Sequence, residues 1–279
     1  MTPDAIAALA REIVDAYAAP HAIAVPPTAR DGGLALDDAY QVEAAIVGLR
    51  RAAGHATSGL KVGYANRAMW RALKLETLVW AHMYDDTVER TGDDATSLEL
   101  SSLWAPKIEP EIVFCLSRSL TTAPSSPEEA LSAVEWVALG FEIIDCVFPD
   151  WKVQPADFIA AKGLHARLIV GTPRAVDAAS IPALVEQLAS FTVGLDRDGA
   201  RVADGGARNC LKSPALCLVE LASAVGRRPA GATLDAGALV SSGTLTESQL
   251  LGPGQTWTAT LTGLDLPALT VRTTGHPRG

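Results

Sequence analysis

The sequence predicts an α+β fold, with a helical N-terminal cap over residues 1–78 set on a larger, mostly β domain over residues 79–279. Three observations carry this. Apolar residues recur at helical spacing in the first part of the chain, whereas short β-like runs bounded by turn residues take over from about Val79. Strands and helices do not alternate regularly, as a doubly wound parallel sheet would require. At 279 residues and 48% hydrophobic, the chain has ample material for a buried core.

The elements follow in order. Thr2 reads as a helix N-cap with Pro3 at the first helical position, and Ile6, Leu9, Ile13 and Tyr17 form one apolar face. A loop through Pro26 and Pro27 leads to a second helix, capped by Asp37, with Tyr40, Ile46 and Leu49 inward and Gly54 at its end. Residues 59–64 form a short strand flanked by glycines, and residues 67–75 a helical turn. Residues 107–116 read as a strand running into the core. Further β-like runs cover residues 136–144, 168–170, 191–195, 239–242, 257–261 and 269–272, with turns at Asp198-Gly199 and Gly252-Pro253-Gly254. Helices are expected over residues 127–136, capped by Ser126, and over 181–190 and 214–225.

The net charge of -9, with no compensating Lys/Arg cluster, excludes an electrostatic nucleic-acid binder. Asp4, Arg11, Glu12 and Asp15 interrupt the N-terminal region where a signal peptide needs an apolar core, and no run of about 18 apolar residues offers a membrane span. Cys115, Cys146, Cys210 and Cys217 lack C-x-x-C spacing and read as buried free thiols. The expectation is a soluble, cytoplasmic protein.

The most informative motif is Glu109-Pro110-Glu111, followed by Glu142 in a second apolar run. Residues i and i+2 of a strand share a face, so two carboxylates stand side by side at the entrance of an apolar strand. If Glu142 passes nearby, three hard oxygen donors with room for waters suit Mg²⁺ or Mn²⁺. The alternative is a solvated sheet edge, where Pro110 is also at home.

Other constellations carry two readings each. Lys61, between glycines in a strand, is either buried with its pKa lowered by desolvation, or packs its stem and sends its ammonium to solvent. Asp85-Asp86 is either a solvated capping pair or an acid/base pair with divergent pKa values. Lys162 and His165 form a polar break that is either a turn or a receptor for a carboxylated substrate. Residues 241–246, Ser-Ser-Gly-Thr-Leu-Thr, end a strand and are either a plain turn or an anion receptor built from hydroxyls and N–H groups. No G-x-S-x-G, G-x-G-x-x-G or Walker A motif is present, so neither a hydrolase elbow nor a nucleotide cofactor is implied.

Taken in order, Gly59-Leu60-Lys61-Val62-Gly63-Tyr64, Met83-Tyr84-Asp85-Asp86, Lys107-Ile108-Glu109-Pro110-Glu111, Glu142-Ile143-Ile144-Asp145, Asp150-Trp151-Lys152 and Ser242-Gly243-Thr244-Leu245-Thr246 make a series. It resembles the 2-keto-4-pentenoate hydratase and 4-oxalocrotonate decarboxylase branch of the fumarylacetoacetate hydrolase superfamily, over nearly the whole chain. The resemblance implies a mixed β-roll with an N-terminal helical portion. It makes Glu109, Glu111 and Glu142 the ligands of Mg²⁺ or Mn²⁺, Lys61 a lysine entering the active site, and Asp85 and Asp86 an acidic pair near substrate. Thr244 falls in the segment that holds the substrate carboxylate.

The chain departs from the branch at Ala160-Ala161-Lys162-Gly163-Leu164-His165-Ala166, where hydratases carry a polar "ADNASSG" stretch. Lys162 there is closer to the lysine of the C–C-cleaving hydrolases, and makes Lys162 a catalytic and His165 a substrate-binding candidate. The resemblance implies a metal-dependent hydratase of a 2-hydroxy-2,4-dienoate or related 2-oxo acid of aromatic catabolism. The runner-up is a decarboxylase or C–C hydrolase of oxalocrotonate-like or acylpyruvate-like acids. A non-catalytic partner subunit is the reading from another class, against which the intact acid triad argues. A homo-oligomer, with association to a related pathway enzyme, is what the family implies.

Overall fold

Helical spacing and caps place the first helices. The computed structural model describes residues 1–19, 21–92, 95–228 and 232–279. α1 (Pro3–Ala18) starts on Thr2, whose side-chain oxygen accepts from Ala5 N–H at 3.3 Å. It buries Ile6, Leu9 and Ile13, while Tyr17 is half-buried and donates its hydroxyl to the Asp145 carbonyl at 2.7 Å. α2 (Leu36–Ala52) does not use the expected Asp37 cap. Ala35 is its N-cap, and Asp37 and Asp38 fall in the first turn, where negative charge complements the helix dipole.

β1 (Thr57–Gly63), α3 (Arg67–Leu73), β2 (Val79–Tyr84), β3 (Val88–Arg90), β4 (Ala95–Glu99), β5 (Pro106–Leu116), α4 (Pro127–Leu131), β6 (Val134–Asp145), α5 (Pro155–Ala160) and β7 (His165–Val170) follow. The remainder is β8 (Arg174–Ala175), α6 (Ile181–Ser190), β9 (Thr192–Arg197), β10 (Ala200–Gly206), α7 (Pro214–Gly226), β11 (Leu239–Ser241), β12 (Gln249–Leu250), β13 (Thr256–Thr262) and β14 (Leu269–Thr274). The helix expected over residues 127–136 stops at Leu131. Val134, Trp136 and Val137 are drawn into β6, where Val134, Trp136 and Val137 pair with β5 residues. Strands β2 and β10 and helix α5 did not stand out in the sequence. β10 is returned by a tight turn in which Asp198 and Gly199 both have positive φ, 52° and 80°.

Among the described residues the strands form two mixed sheets. The larger runs β2-β1-β11-β5-β6-β7-β3, with β12 added on β5 and β8 on β6; the smaller runs β10-β9-β13-β14-β4. The main core fills the space between the sheets and α4, α6 and α7, with Phe114, Phe141, Leu218 and Trp257 fully buried. A second core joins α1 and α2 to α5 and to Ile144, Phe148 and Leu164. The fold is therefore α+β, with a curled mixed sheet and N-terminal helices. Among the described residues, no helix is long and apolar enough to cross a membrane.

β5 is a central strand, which settles the edge-strand alternative for Glu109 and Glu111. Pro110 is tolerated there because β11 and β12 leave a break on one flank of β5. In that break the Pro110 carbonyl accepts from Leu245 N at 2.9 Å, and no ladder partner is asked of the missing N–H.

Candidate active site

Antiparallel register brings the acids together. Glu109 pairs directly with Glu142 across β5 and β6, and Glu111 pairs with Gly140, so all three carboxylates share one face. A donor oxygen from each lies within 4.8 Å of the others. Gly140 matters here because a Cβ at that position would come 2.6 Å from Val113 Cγ2.

Glu111 is tied at one oxygen and free at the other, whereas Glu142 is hydrogen-bonded at one oxygen and faces the Lys61 ammonium with the other. Glu111 Oε2 accepts from the Ser241 hydroxyl and from Gly243 N at 2.9 Å, while its Oε1 is buried without a hydrogen-bond partner. Glu142 Oε1 takes His165 Nδ1 at 3.0 Å, and its Oε2 also lacks a hydrogen-bond partner. Such outer contacts fix the direction of a ligand and leave its free lone pairs pointing inward. Gly243 has φ +98°, a conformation that presents its N–H to Glu111 at little cost only without a side chain.

Lys61 enters this face from β1, where it pairs with Ser241 of β11. Its Nζ lies 2.9 Å from Glu142 Oε2 as an ion pair that lacks hydrogen-bond directionality, and donates to the Gly163 carbonyl at 2.8 Å. The side chain passes tightly over Gly163, whose φ is +63° and whose added Cβ would sit 2.9 Å from Lys61 Cδ. Lys61 is only 2% exposed, so of its two sequence readings the buried one holds. The direction of the pKa shift is the reverse of that expectation. Burial alone would lower it, but Glu142, Glu109 and Glu111 together hold the ammonium charged and raise it.

The three acids titrate as a set. Burial first, then the charge of Glu142, pushes Glu109 up to about 7, although it keeps some contact with cavity solvent. Glu111 is raised well above the usual carboxylate range by burial and by the other two acids. Burial would raise Glu142 too, yet Lys61 and His165 outweigh it and keep that carboxylate ionised. Burial lowers the His165 pKa despite Glu142; its Nδ1 lies 3.0 Å from Glu142 Oε1 and its Nε2 2.9 Å from Thr87 Oγ1. Without a further positive charge, this cluster cannot hold three negative ones.

The cluster opens into a cavity of about 820 Å³. Lys61 and Glu109 lie at one wall with Ile144, Trp151, Phe158 and Leu164, which form an apolar lining. Thr244 lines the same cavity, its hydroxyl donating to the Thr246 carbonyl at 2.9 Å. Arg208 and Asn209, just after β10, complete another wall. Asn209 Nδ2 is fixed on the Leu245 carbonyl at 2.7 Å, whereas the Arg208 guanidinium makes no hydrogen bond or ion pair among the described residues. Neither residue, nor the grip of Ser241 on Glu111, was singled out in the sequence. Only the hydroxyl-rich segment 241–246 hinted at the latter.

Four expected site residues lie elsewhere. Asp85 and Asp86 are exposed on a short 3-10 turn after β2, facing His55 at 3.6 Å, with Asp86 also paired to Arg50. Lys162 lines a different pocket, where its Nζ stands 3.9 Å from the centre of the Tyr17 ring. The reason is local: Lys162, Gly163 and Leu164 all have positive φ, and this kink gives the cavity side to the Gly163 carbonyl and Leu164. His165 is 1% exposed and sits behind Glu142, positioning the carboxylate and out of reach of the cavity.

The donors fit a hard divalent cation. A buried Glu111 oxygen without a partner, a Glu142 oxygen met only by the Lys61 ammonium, a third acid beside them and oxygen-only donors suit Mg²⁺ or Mn²⁺.

Comparison with known proteins agrees. A family model described as fumarylacetoacetate (FAA) hydrolase C-terminal matches residues 78–272. A 2-keto-4-pentenoate hydratase of Paraburkholderia xenovorans is 28% identical over 233 residues, 82% of this chain and 81% of that protein. A 4-oxalocrotonate decarboxylase of a Pseudomonas species is 28% identical over 232 residues, 83% of this chain and 85% of that protein. Among solved structures, 4-oxalocrotonate decarboxylase from Pseudomonas putida G7, determined with magnesium and adipate, superposes with a TM-score of 0.86 at 25% identity over 98% of both chains.

Proposed function

The chain belongs to the fumarylacetoacetate hydrolase family, and from that premise we propose that it is a divalent-metal-dependent hydro-lyase that hydrates a 2-hydroxy-2,4-dienoate or related 2-oxo acid of aromatic-compound catabolism. The observation that carries this reading is a three-carboxylate cluster paired with a buried lysine, Glu109 and Lys61 both lining the cavity. Glu109, Glu111 and Glu142 would hold Mg²⁺ or Mn²⁺, which when bound supplies Lewis-acid polarisation to the head of a 2-oxo acid.

The chain's own residues do the rest. Ser241, Gly243 and His165 aim the carboxylates, so little reorganisation is needed on loading. Lys61 is held at 2.8 Å on the Gly163 carbonyl and faces the substrate space. Burial disfavours the charged form of Lys61, and a dication held by the acids would offset the carboxylates that keep it charged. Lys61 can then pass a proton between the 2-hydroxy and 2-oxo tautomers, while hydration adds water across the conjugated double bond. Thr244, on the cavity wall, would meet the substrate carboxylate, and Phe158, Trp151 and Leu164 would keep bulk water from the carbon chain.

One observation favours a second reading. The unpartnered Arg208 in the cavity suits a substrate with a second carboxylate, as 4-oxalocrotonate has, and so a decarboxylase. Incubation with Mg²⁺ and either 2-hydroxypenta-2,4-dienoate or 4-oxalocrotonate, followed by ultraviolet absorbance and CO₂ release, decides between them. Loss of diene absorbance without CO₂, abolished in Glu109→Ala, is the expected result. CO₂ from oxalocrotonate moves the assignment to the decarboxylase, and silence on both substrates with metal bound refutes both. We further infer a cytoplasmic homo-oligomer able to associate with a related pathway enzyme, a reading supported by the family and tested by light scattering on the purified protein.

A further inference from the structure

Lys162, set aside by the catalytic cavity, lines a pocket of about 190 Å³ between α1, the end of α2 and the segment before and into β7. Two arginines, Arg50 and Arg167, line it as well. The acids on its walls are already engaged. Asp86 is paired with Arg50, and both Asp145 oxygens accept backbone N–H groups, from Trp104 at 2.9 Å and Ala105 at 2.7 Å. Arg167 spends one N–H on the Ala166 carbonyl at 2.8 Å. The Lys162 ammonium makes no hydrogen bond or ion pair among the described residues; its contact is the Tyr17 ring at 3.9 Å. A half-buried ammonium facing a ring, with two guanidinium groups around the same space, is an arrangement short of an anion.

We propose that this pocket is a second binding site, distinct from the acid cluster, for a small oxyanion such as a phosphate or a small carboxylate held by Lys162 and Arg167. The volume suits such a ligand, since a water molecule's share of liquid is about 30 Å³. Burial and the charges of Arg50 and Arg167 lower the Lys162 pKa to about 8, although Asp145 and Asp86 oppose them. The site also backs onto the catalytic one. Gly163, next to Lys162, holds Lys61 through its carbonyl, and Thr87, on the pocket wall, contacts His165, which holds Glu142. Lys162 and Leu164 keep left-handed backbone, φ 57° each, a kink that turns the Lys162 side chain to this pocket while the Gly163 carbonyl meets Lys61 of the catalytic site.

Titration calorimetry on the Mg²⁺-loaded full chain, with inorganic phosphate and separately with acetate at constant ionic strength, tests this. Saturable binding of one anion per chain is expected, with the tighter of the two anions identifying the ligand's source. It should weaken at least tenfold in Lys162→Met and in Arg167→Gln, with folding checked by circular dichroism, and persist in Glu109→Gln. Absence of saturable binding by both anions, binding unchanged in both pocket variants, or binding lost in Glu109→Gln would overturn the proposal.

Discussion

Glu109 and Glu142 stand directly opposite one another in the β5–β6 ladder. Like charges in that position destabilise a sheet by up to about 1 kcal/mol even at the surface, and burial makes the repulsion larger. The ladder tolerates the pair because Lys61 supplies one positive charge and Glu109 can keep a proton near neutrality. Proton, ammonium and metal dication are thus alternative answers to the same electrostatic demand.

The first prediction concerns pH. Burial and Glu142 raise Glu109 to about 7 from its ordinary value of 4.5, so the metal-free folded state binds more protons than the unfolded state between those values. Stability without metal should therefore fall as pH rises through that window, with Glu111, raised in the same direction, adding to the fall. Because metal needs the ionised acids, its stabilising effect should grow over the same window. Thermal unfolding from about pH 5 to pH 8, with chelator and with excess Mg²⁺, checks this; a metal-free melting temperature that rises across the window would contradict it.

Ser241→Ala removes the hydroxyl that fixes Glu111 Oε2 and leaves Gly243 N as its remaining partner. Affinity for Mn²⁺ should fall about 10- to 100-fold, the usual effect of losing a group that orients a ligand. Turnover should recover at saturating metal. Calorimetry with Mn²⁺, run beside a metal-dependence of the rate, separates this from a general loss of folding.

Lys61→Met keeps the length of the side chain and deletes the ammonium. Turnover should drop by about 10²- to 10⁴-fold, the range for a proton-transfer group. Metal affinity should hold or rise, because the ammonium no longer occupies the space at Glu142 Oε2, 2.9 Å away. Weaker metal binding in this variant would mean that Lys61 organises the cluster and does not merely share it.

Asp85→Asn provides the opposite case. Asp85 is exposed, faces His55 and accepts Ala56 N at 3.1 Å, away from the cavity lining. Turnover should stay within about threefold of wild type, with a stability change inside about 1 kcal/mol for an exposed interaction. A hundredfold loss of turnover would return Asp85 to the catalytic machinery.

The acid cluster was legible because strand periodicity is local: Glu109 and Glu111 share a face wherever β5 lies. Their pairing with Glu142 follows from register, which depends on how two distant runs meet, and so was an expectation only. Lys61 was legible as a residue but its pKa direction was not, since that depends on three acids brought from other strands. Lys162 misled because its type suited the chemistry while its direction is set by three successive left-handed residues, of which only Gly163 announces itself in sequence. His165 and Ser241 act through partners far along the chain, 23 and 130 residues away, a relationship that no short motif carries. The helix expected over residues 127–136 failed for a similar reason, as pairing with β5 claimed its second half.

The break beside Pro110 has a consequence for how this scaffold can be altered. The segment between β11 and β12 carries Thr244, Thr246, Glu247 and Ser248 to the cavity and leaves the ladder at a place where β5 has no N–H to offer. Residues 246–248 can therefore be lengthened, shortened or reshaped without shifting the register that holds Glu109, Glu111 and Glu142. On the proposed function, an engineer seeking a new acid would vary residues 246–248 and leave the strands and Gly243, which holds Glu111, alone.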